Sequence, residues 1–295
     1  MTGARWVVYD RSDWHDFLLA RILREGSSVV RAELSDACDD LVRLAQVSRG
    51  FIFHLDCSLT TRFPLCRDRV IRSLADGPCA VLNARAVDLR KTTIQRICAR
   101  LSMPTTLVGR MGPDDELLVV KTDFNARGAA ERRLPEGVRE ELGLSCPETV
   151  ISRFGFRVLR RVDVPLPWWD DPSLAIERYV ANRSDVYYRA YVCRDRMAIA
   201  CAHRPGRIKK MVCGATRHVQ FVRLSEQRES IELDVTFPLG PLGNFIRSMG
   251  LDFGTLDIVR NDAPTFYVID ANTTPYWCEQ IPGVLSHLAE GLYSD

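Results

Sequence analysis

The stretch Leu242–Trp277 reads LGNFIRSMGLDFGTLDIVRNDAPTFYVIDANTTPYW, and its two β-branched runs decide the reading of the chain. Asp257 closes the first run, and Asp270 and Asn272 close the second. Joined around Asn261–Pro264, the runs make an antiparallel hairpin in which Asp270 and Asn272 share a face, where Asp257 can meet them. Two carboxylates and one amide carbonyl form a hard oxygen set that suits Mg²⁺ carrying nucleotide phosphates better than zinc. A phosphate-handling enzyme is expected. The competing reading is that the acids merely end strands and Asn272 caps a turn before Pro275.

A chain of 295 residues, 46% of them hydrophobic, can build one large domain or two to three lobes with real cores. Forty Lys and Arg against 38 Asp and Glu leave a formal charge of +2, so no global field points to nucleic acid or to a membrane surface. No apolar run reaches the ~20 residues of a membrane span. The start, MTGARWVVYDRSDWHD, lacks the charged, apolar, small-residue order of a signal peptide. A cytoplasmic protein with no nucleic-acid or membrane partner is expected. The ten cysteines (38, 57, 66, 79, 98, 146, 193, 201, 213 and 278) form no CxxC pair and have no His at zinc-ligand spacing. Several sit in apolar segments and read as buried reduced thiols.

Organisation follows from periodicity. In residues 1–86, apolar runs at RWVVYD, SSVVRAE, FIFHLD and CAVLN alternate with helical patterns at HDFLLARILREG, ACDDLVRLAQV and FPLCRDRVIRSLADG, which predicts a parallel sheet covered by helices. No Gly-rich fingerprint follows the first strand, so a dinucleotide role is disfavoured for this lobe. A second lobe is expected over 87–180. It opens with a helix over VDLRKTTIQRICARLSM that ends before Pro104, and continues into a strand carrying Lys121 and a turn containing Asn125 and Gly128. Strands dominate the third lobe, 181–295, with a helix around Gly240–Met249 and a closing helix over PGVLSHLAEGLYSD.

The order of these parts resembles the ATP-grasp superfamily over residues 85–280, in its glutathione synthetase-like and ribosomal-protein-glutamate-ligase-like form. The parts are a strand-end Lys with a small-residue loop, the Glu-containing run LAIERYV about 55 residues later, an Arg-bearing strand, and a terminal Asp followed by Asp-x-Asn. The resemblance implies an α/β fold in which an N-terminal parallel βα lobe precedes a two-lobed module, α+β in character, that holds ATP between antiparallel sheets. It further implies that Lys121 contacts the phosphates while the loop Thr122–Gly128, with Asn125, covers them. Lys91 matches a second nucleotide-facing lysine. Glu177, Arg178, Tyr179 and Val180 match the adenine hinge, and Asp185 a ribose partner. Arg189 and Arg204 would reach the γ-phosphate or an anionic reacting group, and Asp257, Asp270 and Asn272 would hold one or two Mg²⁺ ions, with Mn²⁺ as a substitute.

The implied reaction is ligation. A carboxylate attacks the γ-phosphate, the acylphosphate is opened by an amine or similar nucleophile, and ADP and phosphate leave. Small-molecule substrates are expected, and a homodimer is compatible with the family. A small-molecule kinase using the same site, or a nucleotide-binding protein without turnover, are the alternatives. The chain departs from many members in its compact DFNARG loop and in Asp270, where a Glu is common. Lys209 and Lys210 read as a solvated turn, His203 as a structural strand histidine, and Trp168 and Trp169 as pins for a connection. Specificity is expected from the N-terminal lobe, from Asp252–Thr255, and from the exit through TTPYWCEQ, where Thr273, Thr274, Tyr276 and Trp277 either line an acceptor pocket or pack the C-terminal helix.

Overall fold

The computed structural model describes residues 6–10, 17–23, 28–31, 38–61, 67–75, 77, 79–141, 155–207, 214–277 and 281–293. Lys209, Lys210 and Cys66, Cys146, Cys213 and Cys278 lie outside these residues, as do parts of the first helical patterns. Among the described cysteines, Cys57, Cys79, Cys98, Cys193 and Cys201 are buried free thiols. No helix of the described residues is long and apolar enough to cross a membrane.

The N-terminal strands β1 (Trp6–Asp10), β2 (Ser28–Arg31), β3 (Gly50–His54) and β4 (Ala80–Leu82) pair in parallel in the order β2-β1-β3-β4. WVVYD and GFIFH are apolar at nearly every position because both faces of this sheet are covered. Val7, Tyr9, Phe51 and Phe53 pack under α2 (Cys38–Gln46) and α3 (Arg67–Leu74). The alternate residues Trp6, Val8 and Ile52 meet α1 (Leu18–Ile22) and, through the C-terminal helix, the third lobe.

The helix that follows covers less sequence than its pattern predicts. It is α4, Lys91–Arg100, instead of a helix starting at Val87. The preceding backbone is already committed: Thr60 N donates to Val87 O and Leu89 N to Ser58 O, and the Asp88 side chain accepts from Arg90 N and Thr93 Oγ1. Buried Ile94, Ile97 and Cys98 face not the neighbouring small sheet but the core of the large one. Each such buried aliphatic side chain stabilises by roughly 1.5–3 kcal/mol.

The small sheet, in the order β6-β5-β7, comprises β5 (Leu117–Thr122), β6 (Phe156–Arg160) and β7 (Leu174–Arg178). Alternation sorts its residues: Leu118, Val120, Leu174 and Ile176 form a core with Trp168 and Trp169 packed on it, while Val119, Lys121 and Glu177 line the opposite side. Between β5 and β6 stand α5 (Ala129–Arg132) and α6 (Glu136–Glu141). The large sheet is antiparallel, in the order β10-β9-β8-β13-β14, built from β8 (Val186–Cys193), β9 (Arg196–His203), β10 (Thr216–Arg223), β13 (Phe253–Arg260) and β14 (Phe266–Asn272). The short pair β11 (Ser230–Glu232) and β12 (Thr236–Pro238), which the sequence pattern does not announce, precedes α7 (Leu239–Met249). One face of the large sheet packs on α4 and α7; the other meets α8 (Val284–Tyr293) at one end and opens toward the small sheet at the other.

Two glycines of Leu242–Trp277 are steric requirements. Gly250 ends α7 with φ +65, and a Cβ at Gly254 would lie 2.3 Å from the Asn272 carbonyl oxygen. The outer edge of β14 is laced by side chains in place of another strand. Gln95 Nε2 donates to Val268 O (2.7 Å), Lys121 Nζ to Ile269 O (3.1 Å) and Asn125 Nδ2 to Ala271 O (2.7 Å). From the small lobe, Asp123 caps α4 by accepting from Thr92 N and Oγ1. The two sheets are thereby held edge to edge.

Candidate functional site

Between the small sheet and the β13–β14 hairpin lies a cleft of about 620 Å³. Its small-lobe wall carries Val119, Lys121, Phe156, Glu177, Arg178, Tyr179 and Val180, and its large-lobe wall Asp257, Val259, Ile269 and Asp270. A β-bulge sets the large-lobe wall. Ile258 pairs with Val268, but Asp257 pairs with Asp270, so Ile269 is extra and both Ile269 and Asp270 face the cleft.

Three cations stand against three carboxylates here. Lys121 Nζ is 2.9 Å from Glu177 Oε2, Lys91 Nζ is 3.6 Å from Asp270 Oδ1 and 3.0 Å from Asn125 Oδ1, and Arg189 holds Asp257 with two bonds of 2.7 and 2.9 Å. Burial works to lower the Arg189 pKa, but the adjacent Asp257 carboxylate raises it well above the usual value, so this guanidinium stays charged. Two buried polar atoms of the wall have no hydrogen-bond partner among the described residues: Glu177 Oε1 and Thr106 Oγ1. Unpartnered atoms of this kind are costly unless a ligand meets them.

Next to them the chain is strained. Ala126 and Arg127 adopt left-handed φ of 44 and 61, followed by Gly128 at 71. Left-handed backbone costs about 1–2 kcal/mol per non-glycine residue, and such strain concentrates at functional loops. The loop is also anchored to the N-terminal lobe. Asn125 N donates to Ser58 Oγ, Ser58 N donates to the buried Glu131 Oε1, and Phe124, Ala130 and Leu134 pack on Cys57 and Leu59.

No family model and no curated protein matches the sequence. Solved structures do match. The ATP-grasp ligase PsnB, complexed with a phosphomimetic variant of a minimal precursor, Mg and ADP, is similar over 98% of this chain and 97% of that one, with 12% identity and a TM-score of 0.54. The chain has the ATP-grasp fold. The L-amino acid ligase from Bacillus licheniformis is similar over 99% of this chain and 75% of its own, with 10% identity and a TM-score of 0.51.

The ATP-grasp cleft brings together Lys91, Lys121, Glu177, Arg178, Tyr179, Val180, Asp257 and Asp270, all of them singled out in the sequence. Asn125 and Arg189 stand one contact behind, on Lys91 and Asp257. At the hinge, Arg178 N donates to Thr106 O and Tyr179 N to Leu117 O, so these two amides are paired within the protein. Asn272 shares the Asp270 face, but its Oδ1 accepts from Thr274 N (2.8 Å) and Thr274 Oγ1 (3.1 Å), as the turn-capping reading requires. Asp185 and Arg204 are not on the cleft wall; Arg204 N donates to Asp185 O where the chain enters β8 and leaves β9. Gly128 ends the strained loop without lining the cleft.

Among the described residues no three His, Cys, Asp or Glu side chains are grouped to hold a metal; the pairing sets the carboxylates Asp257 and Asp270 side by side, with Asn272 two residues beyond Asp270 on the same strand. None of the described exit residues lines this cleft: Thr273 Oγ1 donates to Leu55 O and Trp277 stacks edge-on against Tyr191, while Tyr276 is exposed. Asp252 is tied to the N-terminal lobe through Asn83 N. Sequence reasoning missed Thr106, Phe156 and Arg207 on the wall, and Gln95 behind it. Gln95 carries a readable signal, a polar residue between Ile94 and Cys98 on the buried face of α4. Thr106 carries none, because its place comes from pairing beside β7.

Proposed function

We propose that this protein is an ATP-dependent ligase that activates a small-molecule carboxylate as an acylphosphate and joins it to an amine or similar nucleophile. The observation that carries the reading is the cleft end where buried Glu177 Oε1 and Thr106 Oγ1 lack partners beside Lys121, with Asp257 and Asp270 paired on the facing sheet. One end thus needs a hydrogen-bond donor and a polar partner, as a nucleobase supplies, and the other suits a metal-bound polyphosphate. The two similar structures are ligases by name, and one was crystallised with Mg and ADP.

The donor set fits Mg²⁺, which is held by one or two carboxylates when nucleotide phosphates complete its coordination. Asp257 and Asp270 would hold it, and Mn²⁺ would substitute; the ion supplies charge neutralisation on the phosphates. Val119, Val180, Val259 and Ile269 exclude water around the base. Lys121 and Lys91 leave their carboxylate partners for phosphate oxygens, and the backbone of Ala126–Gly128 covers them. A carboxylate oxygen of the substrate attacks the γ-phosphorus as the bond to the β,γ-bridging oxygen breaks and ADP leaves. The amine then adds to the acyl carbon, loses a proton and expels phosphate. No nucleophile of the protein is consumed, so positioning and charge carry the rate.

Hydroxylamine tests this directly. With ATP, Mg²⁺ and a panel of carboxylates, an acylphosphate is trapped as a hydroxamate with matching ADP and phosphate. A stable phosphorylated product in place of hydroxamate assigns a kinase and overturns the ligase reading.

A further inference from the structure

Arg189 occupies the carboxylate that a divalent cation needs. Both oxygens of Asp257 accept from its guanidinium, Oδ1 from Nε and Oδ2 from Nη2, and both side chains are largely buried. Asp270 is held far more loosely: its Oδ1 accepts from Ala271 N at 3.1 Å and stands 3.6 Å from Lys91 Nζ. The strand register places Arg189 directly opposite Asp257 on β8, and Asp270 directly opposite it on β14. Arg189, Asp257 and Asp270 therefore form one cross-strand row with Asp257 in the middle.

Resting on the metal–nucleotide reading of this cleft, we propose that Arg189 is the resting counter-ion of Asp257, and that a divalent cation entering between Asp257 and Asp270 displaces it and so releases its donors toward the substrate. Mg²⁺ requires ligand oxygens at about 2.0–2.1 Å. The guanidinium fork already engages both Asp257 oxygens, one lone pair on each. A doubly charged ion beside a guanidinium in a partly desolvated site repels it. Arg189 cannot relieve that repulsion by losing a proton, so it moves. Tyr187 and Tyr191, two residues to either side on β8, share its face and are buried, and the next positions along the row, Asp257 and Asp270, are on the cleft wall. Arg189 thus becomes available to an anionic substrate only after the metal–nucleotide has bound, which orders the two binding steps.

The test is Mn²⁺ binding to the full chain, followed by the electron paramagnetic resonance signal of the free ion, for wild type, R189Q, R189K and D257N. Without nucleotide, R189Q is expected to bind Mn²⁺ at least about tenfold more tightly than wild type, because a competing positive charge is gone. R189K, which keeps the charge and loses the fork, falls between them, and D257N loses the site. A purely structural ion pair predicts the reverse, since its loss would loosen Asp257. Affinity in R189Q equal to or weaker than wild type, with wild type binding Mn²⁺ alongside a non-hydrolysable ATP analogue, overturns the exchange and leaves the metal reading standing. Should R189Q not fold, R189K carries the comparison, and an affinity no higher than wild type overturns the exchange. No Mn²⁺ binding by wild type even with the analogue overturns the metal reading and the exchange together.

Discussion

Asp257 and Asp270 face each other across β13 and β14 because Ile269 is an extra residue in the pairing. From the turn inward, Arg260 pairs with Phe266, Val259 with Tyr267 and Ile258 with Val268; continued without interruption, that register would set Asp257 against Ile269 and send Asp270 to the opposite face. The bulge shifts the pairing by one residue and brings both carboxylates to the cleft. It also turns out the Ile269 carbonyl that Lys121 binds from the small lobe. One inserted residue thus positions both the acidic pair and the cation opposite it.

Lys121 and Glu177 should be separable into structural and binding effects. Breaking a buried ion pair by removing one partner costs about 3–5 kcal/mol, so Lys121→Met is expected to be destabilised toward that range by the carboxylate it strands. Lys121→Met/Glu177→Gln should recover most of the loss yet not regain nucleotide binding. Urea unfolding paired with nucleotide titration checks both; restored binding in the double variant would contradict the assignment of Lys121 to phosphate.

Thr106 is expected to behave as a ligand contact that weakens the empty protein. An unmade buried hydrogen bond costs about 1–3 kcal/mol, so Thr106→Val should raise stability without nucleotide by about 1 kcal/mol while lowering nucleotide affinity several-fold. Unchanged affinity in a calorimetric titration would show that the hydroxyl does not meet the ligand.

Much of the fold was legible because its signals are local. WVVYD and GFIFH read as strands of a parallel sheet covered by helices, LLVVKT as a strand carrying Lys121, and Phe253–Asn272 as a hairpin because both runs are β-branched around a Pro-containing turn. The departures have different causes. Val87–Leu89 has a helical pattern but is bonded to the distant Ser58–Thr60, whereas the Asn272 amide oxygen, which has ligand chemistry, meets donors only two residues on, at Thr274. The convergence of Asp257 with Asp270 was anticipated, whereas the bulge that produces it leaves no mark in a period-two pattern. Thr106 and Gln95 take their roles from elements far along the chain, which no local window reports.

Glu131 should make stability pH-dependent. Burial raises its carboxyl above the ordinary glutamate value, with the Ser58 amide opposing only in part. The folded state therefore holds this proton more tightly than the unfolded state. The resulting stabilisation is complete below the unfolded value of about 4.3 and is lost as pH rises through the raised folded value. Glu131→Gln copies the protonated form, so its stability relative to wild type should increase between about pH 4 and pH 7. Urea midpoints at three pH values check this; a constant difference, or one of opposite sign, would contradict a raised carboxyl.

The most direct test of the account is thermal unfolding of wild type and Asp270→Asn with and without Mg²⁺ and a non-hydrolysable ATP analogue. At 100-fold over the dissociation constant, ligand adds about 2.7 kcal/mol of apparent stability, which moves Tm by several degrees. A Mg²⁺-dependent upward shift in the wild type that shrinks in Asp270→Asn is the expected result. No shift in folded wild-type protein at millimolar nucleotide, or an equal shift in the variant, would contradict a metal–nucleotide site built on Asp257 and Asp270.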